Sequence, residues 1–209
     1  QTIENTAVVM ILAMAVGGFF AAVVGVLVGV PVLRLSGDYL AIVTLAFGEI
    51  IKGIVNNLYV GMDANGLHFC MIKNTLEMEG GKMLLNGPMG LTGIPRIATF
   101  TMGFVLIMVC LIVIFNLVNS KSGRAIMALR DNKIAAQSVG INVTSYKLMA
   151  FVISAAMAGM AGVLFATNFS TVVASKFDIN TSILVLVFVV LGGLGNMRGS
   201  IIAATVLTV

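Results

Sequence analysis

The chain has 209 residues, of which 59% are hydrophobic and 10% are charged, and its mean hydropathy is +1.11. A soluble domain carries about 25% charged residues because it must cover itself with a solvated surface, so this composition excludes a soluble enzyme, a disordered tail and a nucleic-acid-binding domain. The net charge of +4 is better explained by orientation in a bilayer, because basic residues accumulate in cytoplasmic loops.

The first apolar run, residues 7–30, carries no charge and is long enough to cross a bilayer, which takes about 20 helical residues. Gly25 and Gly29 give it a small-xxx-small pattern, which lets two helices approach closely. We expect Pro31 to end this helix.

The second run, residues 39–55, contains Glu49, with Thr44 about one turn away. A carboxylate inside the hydrocarbon is costly and normally faces a cavity or a partner. Two readings therefore stay open: both side chains line a substrate path, or Glu49 is protonated or hydrogen-bonded and holds two helices together.

The two connecting segments that follow differ in charge. Residues 56–97 have three basic and three acidic residues and fit an outer loop, after which residues 98–118 form a third span. Residues 119–147 hold five basic residues against Asp131 alone, so the positive-inside rule places this segment in the cytoplasm and Gln1 outside.

Two short helices are predicted within residues 119–147. The first covers residues 122–129, and the second is capped by Asp131, runs through Ser138 and is stopped by Gly140. Such an element is consistent with a solvated basic loop, with contact to lipid headgroups, or with docking into a soluble partner.

The fourth span, residues 148–167, carries two candidate small-residue stripes, Ala155/Gly159 and Ala158/Gly162. The last apolar stretch, residues 182–209, is broken near residues 192–199. The glycines of the break are Gly192, Gly193, Gly195 and Gly199. We expect a discontinuous or re-entrant helix, which is tolerated only where protein or a water-filled cavity surrounds the freed backbone groups.

Several chemistries are disfavoured by the motifs. Gly80-Gly81-Lys82 resembles the end of a P-loop, but Met83 stands where Ser or Thr would hold magnesium. A single histidine, His68, excludes a multi-histidine metal site, and no nucleophile, base and orienting group have suggestive spacing. We therefore expect no enzymatic activity, no metal and no bound cofactor.

Residues 123–143 resemble the coupling loop of branched-chain amino acid ABC transporter permeases. Importer permeases carry a Glu-Ala-Ala-x-x-x-Gly pattern there; this chain keeps Ala135, Ala136 and Gly140 but has Ile134 in place of the glutamate. Three further stretches agree with the family, the first two with its LivM type. They are residues 33–49, residues 86–95 (with Met89 where asparagine is usual) and residues 190–199.

The resemblance implies an all-α polytopic transmembrane helix bundle in the bacterial plasma (inner) membrane. It implies import of leucine, isoleucine or valine with a second, LivH-like permease subunit, two ABC ATPase subunits that bind the ATP, and an extracytoplasmic substrate-binding protein. The residues expected to dock the ATPase are Arg124, Arg130, Asp131, Ala135, Ala136 and Gly140.

Alternatives remain for the cargo and the energy source. Urea, short-amide and some sugar importers have related permeases, so the cargo could differ. If the chain were instead an independent secondary carrier, it would need no ATPase, and the basic segment would only set the orientation in the membrane. The chain starts at Gln1 and stops at Val209 within an apolar run, so we expect a fragment or a processed chain, and any count of spans is a lower bound. The part of the outer loop at residues 69–85 is longer than the resemblance predicts.

Overall fold

A computed structural model describes residues 3–35, 37–63, 66–70 and 82–208. The described residues form eight α-helices and five short strands. The helices are α1 (Ile3–Val32), α2 (Asp38–Asn57), α3 (Phe100–Asn119), α4 (Lys121–Asp131), α5 (Lys133–Ser138), α6 (Val143–Phe169), α7 (Ile179–Leu191) and α8 (Met197–Thr208). The strands are β1 (Tyr59–Asp63), β2 (Gly66–Cys70), β3 (Lys82–Asn86), β4 (Leu91–Thr92) and β5 (Thr171–Val172).

Four of the described helices are long and apolar enough to cross a bilayer. They contain the candidate spans Ala7–Val32, Tyr39–Asn57, Phe100–Asn119 and Val143–Phe169. α7 and α8 have 13 and 12 residues. At 1.5 Å per residue each covers about 20 Å or less, which is short of the roughly 30 Å hydrocarbon core.

α1 does not stop at Pro31 as predicted. The helix includes Pro31 and ends at Val32, and the Leu33 amide still donates to the Gly29 carbonyl at 2.9 Å. Proline removes only its own N–H from the ladder, so a single proline in the last turn leaves the neighbouring hydrogen bonds intact.

Contacts within the chain divide it into two compact units. The first unit is Gln1–Thr44 with Gly93–Thr171, and the second is Leu45–Thr92 with Val172–Val209. The first unit therefore contains α1 and α3 to α6, the second contains α7 and α8, and α2 contributes to both.

Packing in the first unit centres on α1 and α6, which approach closely through small residues. A Cβ atom added to Gly25 would lie 2.9 Å from the Ala155 side chain. One added to Gly159 would collide with Ala21 and lie 2.7 Å from the Gly17 carbonyl oxygen, whereas one added to Gly162 would meet nothing within 4 Å. The Ala155/Gly159 stripe therefore faces α1 and Gly162 faces away from it.

Four strands between α2 and α3 and one strand after α6 form a sheet that the sequence did not predict. The strand order is β2-β1-β3-β4-β5, and Tyr59 of β1 lies opposite both Cys70 of β2 and Asn86 of β3. Residues 71–81 lie outside the described residues, so most of the long part of the loop, with Gly80 and Gly81, is among them.

Candidate functional site

The turn from α3 into α4 is fixed by Ser120 and Gly123. The Ser120 hydroxyl donates to the Leu117 carbonyl at 2.6 Å, and its oxygen accepts from the Gly123 amide at 3.1 Å, which caps α4. A side chain on Gly123 would collide with the backbone carbonyls of Leu117 and Val118. Only glycine allows α4 to start this close to the end of α3.

The next helix, α5, is capped by Asn132 and not by Asp131. The Asn132 side-chain oxygen accepts from the amides of Ile134 and Ala135, both at 3.0 Å. Asp131 is instead the last residue of α4, and its carboxylate lies 3.2 Å from Nε of Arg130. Asparagine and aspartate are equally good caps, so the choice between these neighbours depends on where α4 ends.

α5 ends in a Schellman motif at Gly140, the residue that was predicted to end this helix. Gly140 has a φ of +85°, and its amide donates to the Gln137 carbonyl at 3.0 Å. The Ile141 amide donates to the Ala136 carbonyl at 3.1 Å, and Ile141 packs near Ala136. This pair of hydrogen bonds and the apolar contact are the features that define the motif.

Three buried side chains hold α4, α5 and the start of α6 together. Leu129, Ala136 and Val143 are 7%, 4% and 7% exposed and form one cluster, which we call the elbow core. Ala136 is therefore not available on the surface of this chain, although the sequence placed it among the docking residues. Its position indicates that it holds α5 against its neighbours.

The outer surface of the same helices carries two large apolar side chains that were not among the predicted docking residues. Ile134 is 79% and Val139 is 75% exposed. The other predicted docking residues, Arg124, Arg130, Asp131, Ala135 and Gly140, are also exposed. The sequence offers no signal that separates these two residues from the other apolar residues of the segment, such as Leu129 and Val143, which are buried. We call Ile134 and Val139 the elbow anchors.

A second polar cluster lies on α2 and at the start of α7. Nζ of Lys52 lies 3.5 Å from a carboxylate oxygen of Glu49 and donates to Oδ1 of Asp178 at 2.8 Å. Asp178 also accepts from the Ile179 amide at 2.9 Å and so caps α7. Glu49 pairs within its own helix, and Lys52 makes the contact between helices.

Two hydrogen bonds lower the pKa of the Asp178 carboxyl below its ordinary value. The larger effect comes from Lys52 and the smaller from the Ile179 amide. Asp178 is therefore ionised at neutral pH. An ionised carboxylate at the first turn is also favoured by the helix dipole.

Thr44 lies apart from this cluster. Its hydroxyl donates to the Ala41 carbonyl at 2.8 Å, within α2. Five residues separate Thr44 from Glu49, which places them about 140° apart around the helix axis. The two residues predicted to line one path do not share a helix face.

The predicted helix break lies between α7 and α8, which pack against each other. Gly193 and Gly195 have φ values of +93° and +90°, a conformation that glycine adopts without strain. At Gly199, a Cβ atom would collide with the Gly192 carbonyl. These glycines therefore allow a tight turn between two short helices.

Comparison with known proteins gives the family. Residues 2–209 match the family described as branched-chain amino acid transport system / permease component. The chain belongs to this permease family. Its helical, polytopic architecture and its location in the plasma membrane agree with the sequence prediction, and it is a transport component.

This permease is similar to several curated proteins. It is 40% identical over 207 residues to the high-affinity branched-chain amino acid transport system permease protein LivM of Escherichia coli K12. The aligned region covers 94% of this chain and 49% of that protein. It is 25% identical over 203 residues to a probable branched-chain amino acid transport permease protein LivM of Methanocaldococcus jannaschii, which covers 91% and 52%. A probable ABC transporter permease protein of E. coli K12, YphD, is 27% identical over 178 residues, covering 80% and 47%.

The permease chain spans about half the length of the curated relatives it matches. No solved structure matches it. Among its described residues, no three side chains of His, Cys, Asp or Glu lie together as metal ligands would.

Proposed function

We propose that this permease is a transmembrane subunit of an ATP-driven ABC importer for branched-chain amino acids and forms the translocation pathway with a second permease subunit. Family membership and the described activity of the 40% identical E. coli relative support this cargo. An extracytoplasmic binding protein delivers the substrate. Two ATPase subunits bind the ATP, so this chain needs no cofactor and no ATPase site of its own.

The proposal depends on how α4 and α5, which together we call the elbow, are held in place. The elbow core fixes α4 and α5 to the start of α6, while the elbow anchors point away from it with 79% and 75% of their surface exposed. Apolar side chains that are held exposed on a short helical element suit a groove on a soluble partner, because a helix binds such a groove through its apolar residues.

Motion of the ATPase subunits would reach the spans through the same contacts. Gly123 and Ser120 hold α4 against the end of α3, and Val143 belongs to both the elbow core and α6. A displaced elbow therefore moves α3 and α6 as rigid bodies, the kind of transition that alternating access requires. The path itself is proposed to include Glu49 and the break at Gly192–Gly199, without Thr44, which lies on another face of α2.

The test is transport by the assembled complex. The full-length permease is co-expressed with its candidate partner permease, ATPases and binding protein, and ATP-dependent uptake of labelled leucine is measured. Unlabelled isoleucine and valine should compete, while urea and ribose should not. Competition by urea or ribose alone would reassign the cargo, and uptake that does not depend on ATP would indicate a secondary carrier.

The docking role of the elbow anchors is tested by Ile134→Asp. A carboxylate placed in an apolar contact loses its hydration without a partner, so the affinity for the ATPase should fall about tenfold or more. Co-purification of ATPase and uptake are both measured. Thr144→Asp, at an exposed position at the start of α6, is the matched control and should keep both. Normal co-purification of Ile134→Asp would contradict the docking assignment.

A further inference from the structure

A cavity of about 530 Å³ lies in the first unit, beside the elbow. Its apolar walls include Leu33 after α1, Leu40 in α2 and Phe151 in α6. Its polar side chains are Arg130 of α4, Lys147 of α6 and Ser154 of α6. The volume falls within the range of about 300–1,000 Å³ that is typical of small-molecule sites. We call it the elbow cavity.

Among the lining residues that the structure describes, the charged ones are Arg130 and Lys147, both of them cations. Asp131 contacts Arg130 through Nε, at 3.2 Å, but a guanidinium has five N–H donors, so this pair does not saturate it. Among the carboxylates whose side chains the structure describes, those of Glu49, Asp131 and Asp178 pair with Lys52 or Arg130 and none pairs with Lys147. The cavity is therefore complementary to an anion.

The position of the cavity decides which kind of anion fits. It lies where α1 has just ended, where α2 begins and where α6 begins its apolar course, which is the level at which spans meet the headgroup region. Long basic side chains at this level keep their stems in the apolar layer and their charges in the headgroups. A soluble anion would gain nothing from the Leu33, Leu40 and Phe151 walls, whereas an acyl chain would cover them.

We propose that the elbow cavity binds one anionic phospholipid, with its phosphate on Arg130 and Lys147 and an acyl chain along Leu33, Leu40 and Phe151. Basic pockets between spans on the cytoplasmic side bind anionic headgroups in this way. The assignment of the leaflet rests on the cytoplasmic placement of residues 119–147. Since Leu129 and Arg130 belong to α4, the bound lipid contacts the elbow as well as the spans and braces one against the other.

This sequence contains no tryptophan, and any tryptophan that lies outside it in the full-length protein is first replaced by phenylalanine. Phe151→Trp places a single fluorophore in the cavity wall, and Phe115→Trp, a 46% exposed position on α3, reports the bulk lipid. The full-length protein is reconstituted into phosphatidylcholine vesicles that contain a small fraction of brominated phosphatidylglycerol, which quenches tryptophan on contact. Leu40→Trp, in the wall formed by α2, is a second reporter in case Phe151→Trp does not fold.

The expected result is that cavity reporters are quenched more than the bulk fraction of phosphatidylglycerol accounts for, while Phe115→Trp is quenched in proportion to it. Adding Lys147→Gln should lower the enrichment about fivefold, the preference that one basic residue confers near anionic lipid. Lys121→Gln removes the same charge from an exposed position outside the cavity and should leave the enrichment unchanged.

Three results would overturn the proposal. They are quenching of the cavity reporters in proportion to the bulk fraction, an enrichment that survives Lys147→Gln, and an enrichment abolished by inorganic phosphate but not by sodium chloride of equal ionic strength. The last result would assign the cavity to a soluble phosphate. The measurement needs neither ATPase nor substrate, so its outcome is independent of the transport assay.

Discussion

At the scale of single residues, the elbow contains two adjacent alanines with opposite environments. Ala136 is 4% exposed and belongs to the elbow core, while Ala135 is exposed on the same helix. A family pattern marks both residues equally, because it does not separate a residue that holds the helix from one that meets a partner. Their different burial distinguishes the two roles. A substitution at Ala136 therefore tests packing of the helix, and one at Ala135 tests contact with a partner.

We expect Ala136→Leu to destabilise the elbow by about 1–3 kcal/mol, since added methyl groups in a packed core force its neighbours apart. Ala135→Leu adds the same atoms to an exposed position and should leave local stability unchanged. Hydrogen exchange of the amides of residues 133–141 measures both. Equal protection in the two variants would show that Ala136 is not part of a packed core.

At the scale of whole elements, α1 and α6 pair through backbone approach, and a matched pair of glycines on α6 isolates that contact. Gly159→Ala places a methyl group against Ala21 and the Gly17 carbonyl, whereas Gly162→Ala fills open space. Gly159→Ala should cost about 1–3 kcal/mol and lower the thermal unfolding temperature in detergent. Gly162→Ala should keep or raise that temperature, because alanine favours a helix more than glycine does. Similar losses in both variants would contradict this orientation of α6.

Some features of the helices and strands can be predicted from the sequence, and others cannot. Length, hydropathy and charge predict the apolar helices, and the small-residue patterns predict close packing, because those signals are local. They do not say which of the two stripes on α6 meets α1, since both have the same spacing. The strand pairing of Tyr59 with Cys70 and Asn86 and the contact of Lys52 with Asp178, 126 residues away, depend on chain reversals that no local pattern encodes.

At the scale of the whole molecule, the ion pair between Lys52 and Asp178 joins two parts of the chain that are 126 residues apart. It ties α2, a candidate span, to the N-cap residue of α7, and the turn between α7 and α8 is the predicted helix break. If that break lines the pathway, then holding α7 against α2 fixes the position of the turn. The Lys52 and Asp178 side chains are 22% and 37% exposed, so the contact is partly accessible and able to open.

Because Asp178 both pairs with Lys52 and caps α7, its two roles must be separated. Asp178→Asn keeps the cap, since asparagine accepts the same amide hydrogen bond, and removes the charge; Asp178→Ala removes both. We expect Asp178→Asn and Lys52→Gln to lower leucine uptake by similar factors, and the double variant to lose no more than either, because the two residues act through one contact.

Asp178→Ala should lose more than Asp178→Asn, by the contribution of the cap. The lowered pKa of Asp178 sets the pH window: the contact persists at neutral pH and is lost only as the pH falls through that lowered value. The wild-type permease should therefore approach the uptake of Asp178→Asn in acid medium, while Asp178→Asn itself changes less. Full uptake by Asp178→Asn at neutral pH, with loss only in Asp178→Ala, would show that the cap matters and that the ion pair does not position the turn.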